Sequence, residues 1–144
     1  MPKFRAVVAI PTRELYSGEV DYASIPGIDG DYGVLSGHES FVGLNRTGAL
    51  TLWFDAEGKE RAQFLIMGGA TQVLNNHLSV LPRFGCRIDE IDPVAVRTEL
   101  ASLDDAGMLD SEDLGLDRMR RDRLRAEDMA WCEARLRAVG ETDH

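Results

Sequence analysis

The chain has 144 residues, a net charge of -9 and 44% hydrophobic residues, enough for one ordinary domain or a domain of ~90 residues with an appendage. An acidic total argues against nucleic acid as the main partner, and no apolar run is long enough to span a bilayer. The start, Met1-Pro2-Lys3-Phe4-Arg5, has neither the apolar core nor the small-residue cleavage site of a secretory signal, and two distant cysteines, Cys86 and Cys132, read as free thiols in a reducing compartment.

Short strands dominate the first part. Phe4–Ile10 is rich in Val and Ile and is closed by Pro11. Glu19–Ile25 alternates, with Val20, Tyr22 and Ser24 on one side and Asp21, Ala23 and Ile25 on the other, until Pro26-Gly27 ends it. The stretch from Ile25 to His38 is expected to be a loop: glycines at 27, 30 and 33 recur every third residue, and Gly37-His38 closes it. Phe41–Leu44 is a short apolar strand, and Leu50, Leu52 and Phe54 share one face of the next at period two. Asp55-Ala56-Glu57-Gly58-Lys59 is a turn, and Ala62–Met67 returns as the hairpin partner until Gly68-Gly69. Thr71–Leu74 and Leu78–Leu81 form a hairpin around Asn75-Asn76, residues that tolerate positive φ. Phe84–Ile88 is the last strand. Nine or ten short strands separated by turn signals make a sandwich or a flattened barrel.

The pattern changes at Asp92. Asp92 suits an N-cap, Pro93 the first helical position, and Val96, Leu100 and Leu103 follow at helical spacing up to Gly107. A helix of about 14 residues is marginal alone and needs a surface. A polar connection over Met108–Gly115 leads to a second helix from about Asp117 to Val139. Two readings of that helix stay open. Leu116, Met119, Ala126 and Ala130 make one stripe, and Met129, Cys132, Leu136 and Val139 another, so the helix meets two partners; or the alanines are incidental and the helix is half of a plain hairpin. Charge is segregated here. Residues 92–117 carry eight acids against Arg97, and residues 118–125 carry five arginines against Asp122. The predicted class is α+β, with a sandwich over 1–88 and an antiparallel two-helix hairpin over 89–144.

Catalytic motifs are missing from the sequence. There is no phosphate-binding Gly-x-x-x-x-Gly-Lys loop, no Gly-x-Ser-x-Gly elbow and no Cys-x-x-Cys pair. The glycine spacing differs from the dinucleotide fingerprint, His38, His77 and His144 are far apart, and Asp29 and Asp31 read as turn formers. No cofactor, metal or catalytic residue is predicted.

Ser17-Gly18-Glu19-Val20, Pro26-Gly27-x-x-Gly30-x-x-Gly33-Val34-Leu35-x-Gly37-His38, Gly48-Ala49-Leu50, Gly68-Gly69 and Asn75-Asn76 stand in an order and spacing that resembles the epsilon subunit of F-type ATP synthases, called delta in mitochondria. The resemblance runs from about Phe4 to Ile88, and the helical part also fits. It implies a ten-stranded β-sandwich followed by two helices, and a non-catalytic subunit of the rotary central stalk. It implies that one face of the sandwich binds the gamma subunit and that one end sits on the membrane c-ring. It also implies that the hairpin of many bacterial members extends to the alpha and beta subunits and blocks rotation in the hydrolysis direction. The membrane is then met only through the complex, at the cytoplasmic face of a bacterial inner membrane or the matrix side of a mitochondrial one.

On this resemblance Asp31 and His38 are the expected c-ring contacts, an acceptor and an imidazole on one glycine-shaped loop. Ser36, Glu39 and Ser40 stand where the family often has Pro, Ala and Pro, which makes the loop less pre-set. Arg118, Arg120, Arg121, Arg123 and Arg125 either clamp acidic loops of the beta subunits, as basic residues do in inhibitory members, or face the acidic first helix in a folded-down hairpin. An Ile-Asp-x-x-Arg-Ala signature opens the first helix in members that bind ATP. Here Ile91-Asp92 is followed by Pro93-Val94-Ala95-Val96 with arginine only at Arg97, so no nucleotide is expected. The alternative to the rotor reading is a stand-alone sandwich that binds proteins and carries a helical oligomerisation tail. A small enzyme built on the His38 loop is a third class, for which the residues offer no nucleophile–base set.

Overall fold

The computed structural model describes residues 2–109 and 115–140. Its contacts divide the chain into two units, Met1–Glu90 and Ile91–His144.

Ten strands build the first unit: β1 Phe4–Ile10, β2 Arg13–Val20, β3 Tyr22–Gly27, β4 Gly30–Val34, β5 Phe41–Leu44, β6 Gly48–Trp53, β7 Arg61–Met67, β8 Ala70–Leu74, β9 His77–Leu81 and β10 Phe84–Arg87. They form two five-stranded sheets, ordered β2-β1-β9-β8-β5 and β10-β7-β6-β3-β4. All pairings are antiparallel except β1 with β9. Alternate residues of both sheets point inward and make one core, in which Phe64, Ile25, Leu50, Leu52, Ile66, Leu78 and Val80 are fully buried. Two sheets joined at their inner faces are the β-sandwich that the strand count and the turn signals predict.

Three expectations change. Glu19–Ile25 is two strands, because the chain passes from one sheet to the other at Asp21. The carboxylate of Asp21 is buried there and accepts a 2.8 Å hydrogen bond from Lys3 Nζ, which also donates to the Phe54 carbonyl at 2.9 Å. Arg13–Gly18 also belongs to a strand, a sheet edge that buries little and carries no clear alternation. The stretch from Ile25 to His38 is mostly not a loop. It is the hairpin β3–β4, with Gly27 opposite Gly30 and Ile28-Asp29 at its tip.

The turns are set locally. Asn75 and Asn76 both take positive φ, 51° and 60°, the geometry a two-residue hairpin needs. Asp55 accepts the amides of Lys59 at 2.9 Å and Glu60 at 2.8 Å and so closes the β6–β7 turn.

The second unit has α1 Pro93–Leu109 and α2 Leu116–Ala138. Asp92 caps α1 as expected: its Oδ1 accepts the Val94 amide at 3.1 Å. Ile91, one residue before the cap, packs in the same cluster as Val96, four residues into the helix. Helix α1 passes Gly107 by two residues. The connection between the helices lies mostly outside the described residues, as does His144. Of the two predicted stripes, Cys132 and Leu136 are buried against Val96, with Leu100 and Leu103 packed on them. Met119, Ala126 and Ala130 of the other stripe are exposed.

Candidate functional site

The ends of the strands define two ends of the sandwich. At one, the tip of β3–β4, the crossover from β5 to β6 and the β7–β8 turn are tied together. Ile28 N–H donates to Leu44 O at 3.0 Å, Arg46 N–H to Pro26 O at 2.9 Å and Asn45 N–H to Gly69 O at 3.0 Å. At the other lie the loop after β4, the β8–β9 turn and the β2–β3 crossover. There Gly37 N–H donates to Asn76 Oδ1 at 2.8 Å and Asp21 N–H to Trp53 O at 2.8 Å.

Asp31 and His38 are therefore not brought together. Asp31 sits beside the first end, opposite Pro26 in the β3–β4 pairing, and its exposed carboxylate is paired with the Arg46 guanidinium. His38 follows β4 at the second end. Three strand residues alone separate them by about 10 Å, so one foot carrying both is replaced by two separate places. The physical reason is that Gly30–Val34 is strand, and a strand carries its two ends apart. The His38 ring donates through Nδ1 to the Glu39 carbonyl at 2.7 Å and stands edge-on to Phe41, 6.4 Å between ring centres. Its own amide donates to Leu35 O at 3.1 Å. Glu39 thus meets the imidazole through its backbone carbonyl.

Arg46 is a site residue that sequence reading missed. It lies next to the crossover residue Asn45 and gains its partner only because β3–β4 folds back beside it. Asn45 was missed too: it is buried, and its amide bridges β5–β6 to the β7–β8 turn.

The outer face of the β2-β1-β9-β8-β5 sheet is a second candidate surface. Val42, Leu44, Leu74 and Leu81 alternate with the inward residues Thr71, Val73, Leu78 and Val80 and remain exposed, Val42 at 69% and Leu44 at 60%. Leu44 pairs with Ala70, which in turn pairs with Leu81. Contiguous apolar side chains on a sheet face are a protein-docking feature.

Among the described residues of the first unit, shallow cavities include two at the second end. One of about 160 Å³ is lined by Asp21, Tyr22, Leu35, Trp53 and Ala56. The other, of about 230 Å³, is lined by Arg61, Ala62, Gln63, Arg87, Ile88 and Asp89. Asp89 holds Arg87 through both guanidinium bonds, 3.1 and 3.0 Å, and is itself held below the usual carboxylate range, first by that hydrogen bond. Among the described residues no cluster of three or more His, Cys, Asp or Glu is placed to hold a metal ion, and no helix is long and apolar enough to cross a membrane.

In the hairpin, Arg118 and Arg125 both pair with Asp122 on their own helix. The pair across the helices is one the sequence did not single out: Arg135 of α2 holds Glu99 of α1, and the buried Cys132 thiol donates to Glu99 Oε2 at 3.1 Å. Burial raises the Glu99 carboxyl, but the Cys132 and Arg135 hydrogen bonds and the guanidinium charge outweigh it and leave it lowered. The same burial, with Glu99 beside it, pushes the Cys132 thiol up to about 11.

Residues 3–84 match the model of the ATP synthase delta/epsilon chain β-sandwich domain. The ATP synthase epsilon chain of Nitrobacter winogradskyi is 33% identical over 118 residues, 82% of this chain and 84% of that one. The epsilon chain of a Bradyrhizobium species is 32% identical over 104 residues, 72% and 75% of the two chains. Among solved structures, a chain of the Euglena gracilis mitochondrial ATP synthase (OSCP/F1/c-ring, rotational state 1) matches with a TM-score of 0.58 at 21% identity, covering 94% of this chain and 77% of that one. At that identity the likeness is one of fold.

Proposed function

The chain belongs to the ATP synthase delta/epsilon family, and on that premise we propose that it is the non-catalytic subunit of the rotor's central stalk, seated between the gamma subunit and the c-ring. The observation that carries this reading is the division of the sandwich surface into an apolar sheet face and a polar, turn-built end. The face formed by Val42, Leu44, Leu74 and Leu81 suits gamma, since apolar burial of ~25 cal/mol per Å² holds a partner firmly. The end formed by Ile28, Asp29, Asp31 and Arg46 suits the polar loops of the ring. Its charges set register and add little strength, about 0.2–1 kcal/mol for an exposed pair.

His38, at the other end, is then not a ring contact when Asp31 is one. The arginines Arg118, Arg120, Arg121, Arg123 and Arg125 are the residues that meet acidic loops of the beta subunits when the hairpin leaves its compact form. The hairpin carries no nucleotide, because Pro93–Val96 replaces the ATP-binding signature. The subunit is peripheral and reaches the cytoplasmic face of a bacterial inner membrane, or the matrix side of a mitochondrial one, through the complex.

The test is assembly and coupling. The full chain is expected to co-purify with gamma and the c-ring, and a D31A/R46A variant to lower ATP-driven ion pumping per ATP hydrolysed more than an H38A variant does. A full chain that assembles with neither gamma nor ring overturns the reading. For the hairpin, removing residues 91–144 is expected to raise ATPase activity, and unchanged activity removes the inhibitory role.

A further inference from the structure

We propose that Asn45 is the positioning residue of the ring-facing end: its side chain and backbone bolt the β3–β4 tip and Arg46 onto the Gly68-Gly69 turn. The proposal rests on the reading of that end given above.

Asn45 lies where the chain crosses from β5 in one sheet to β6 in the other. Its Nδ2 donates to Gly68 O at 3.1 Å, its Oδ1 accepts the Thr71 hydroxyl at 2.7 Å, and its own amide donates to Gly69 O at 3.0 Å. The two side-chain atoms are assigned by their partners: a carbonyl can only accept, so the nitrogen faces Gly68. Asn45 is 6% exposed and Thr71 fully buried, so neither side chain can exchange its partner for bulk water.

The anchor is rigid. Gly69 has a φ of 71°, and a Cβ there would lie 2.0 Å from the Leu81 carbonyl oxygen. The turn is therefore seated directly on the backbone at the end of β9. On its other side Asn45 bridges to Gly27, and its two neighbours complete the joint: Leu44 O takes the Ile28 amide and Arg46 N–H reaches Pro26 O. Arg46 then holds Asp31. A displacement of Asn45 is transmitted to the tip and to the charged pair together, because its neighbours on both sides are bonded to the hairpin.

Few other residues can do this. Aspartate keeps the acceptor but loses the donor to Gly68 and buries a charge. Leucine has a similar shape and removes the side-chain bonds to both the Thr71 hydroxyl and the Gly68 carbonyl.

The test separates bond from shape at the partner. Thr71→Val keeps the shape and removes the hydroxyl, and Thr71→Ser keeps the hydroxyl. In the full chain, residue-resolved hydrogen exchange of the Ile28 and Arg46 amides is expected to speed up roughly tenfold in T71V and to stay close to wild type in T71S. In the reconstituted complex, T71V and N45A are expected to pump fewer ions per ATP hydrolysed, and T71S to pump as the wild type does. Unchanged exchange at Ile28 and Arg46 in both T71V and N45A overturns the proposal. So does an equal acceleration in β1 and β7, which marks general loosening, and so does a loosened tip with normal pumping where D31A/R46A lowers pumping. If D31A/R46A also pumps normally, the ring-facing reading itself fails, and the exchange result alone decides whether Asn45 positions the tip.

Discussion

Replacing Glu99 by glutamine tests what holds the two helices together. Glu99 accepts from Arg135 and from the Cys132 thiol. The Glu99 side chain is 53% exposed and that of Arg135 18% exposed, so solvent screens much of the attraction and the pair is worth about 1 kcal/mol. With a urea m-value of ~2 kcal/mol/M for a chain of this size, the loss moves the unfolding midpoint by about 0.5 M. Trp131 lies in α2 with the Arg135 guanidinium 5.3 Å from its ring centre, and its fluorescence in a W53F background reports the hairpin. The pH dependence carries the sign. A carboxyl lowered in the folded state stabilises it fully above the unfolded carboxyl range, and that stability is lost as pH falls through the lowered folded value. Wild type and E99Q are therefore expected to differ at pH 7 and to converge as the pH falls below about 4. An E99Q chain with the wild-type midpoint at pH 7, or with a constant difference down to pH 3, refutes the account. A double-mutant cycle with Arg135→Lys separates the Arg135 share from that of the thiol.

Phe64 is fully buried in the sandwich core, and F64A is expected to cost about 3–5 kcal/mol, read as a fall in the thermal midpoint of the full chain. Gly69→Ala forces a Cβ against the Leu81 carbonyl at a positive φ, so it is expected to lower stability by at least ~2 kcal/mol, while Gly30→Ala, with open space at its Cβ, costs less despite its own positive φ. Cys132 is buried, with its thiol pushed up to about 11, whereas Cys86 is half-buried. A thiol reagent at pH 8 is expected to label Cys86 first, and Cys132 only when the hairpin unfolds, as peptide mapping would show.

What the sequence made legible follows from where side-chain pattern and structure coincide. Leu50 and Leu52 alternate with half-buried neighbours, Asn75-Asn76 demands positive φ, and Asp92-Pro93 is a helix start by chemistry alone. Strand β4 was hidden because Gly30 and Gly33 flank Tyr32, leaving almost no apolar alternation, although the Tyr32 ring packs edge-on against Phe41 across the open side of the sandwich. Strand β2 was hidden because an edge strand with one fully buried residue, Val20, has little pattern to show. Asn45 had no local signal at all. Between Leu44 and Arg46 it reads as a loop amide, and only the approach of Gly68 and Thr71, more than twenty residues later, gives it a purpose.

The separation of Asp31 from His38 changes how torque has to be carried. A single loop holding an acid and an imidazole would have offered two directed contacts at one place. With the ring at the Asp31 end, that end offers one exposed ion pair and a two-residue tip. An exposed pair is worth only about 0.2–1 kcal/mol, so on the proposed reading attachment rests on the apolar sheet face and the end supplies position. Position in turn demands stiffness. The two glycines of the tip, Gly27 and Gly30, do not supply that stiffness by themselves. The bonds that Asn45 and its neighbours make across the sheets do, which is why a buried amide bears on the proposed grip on the ring.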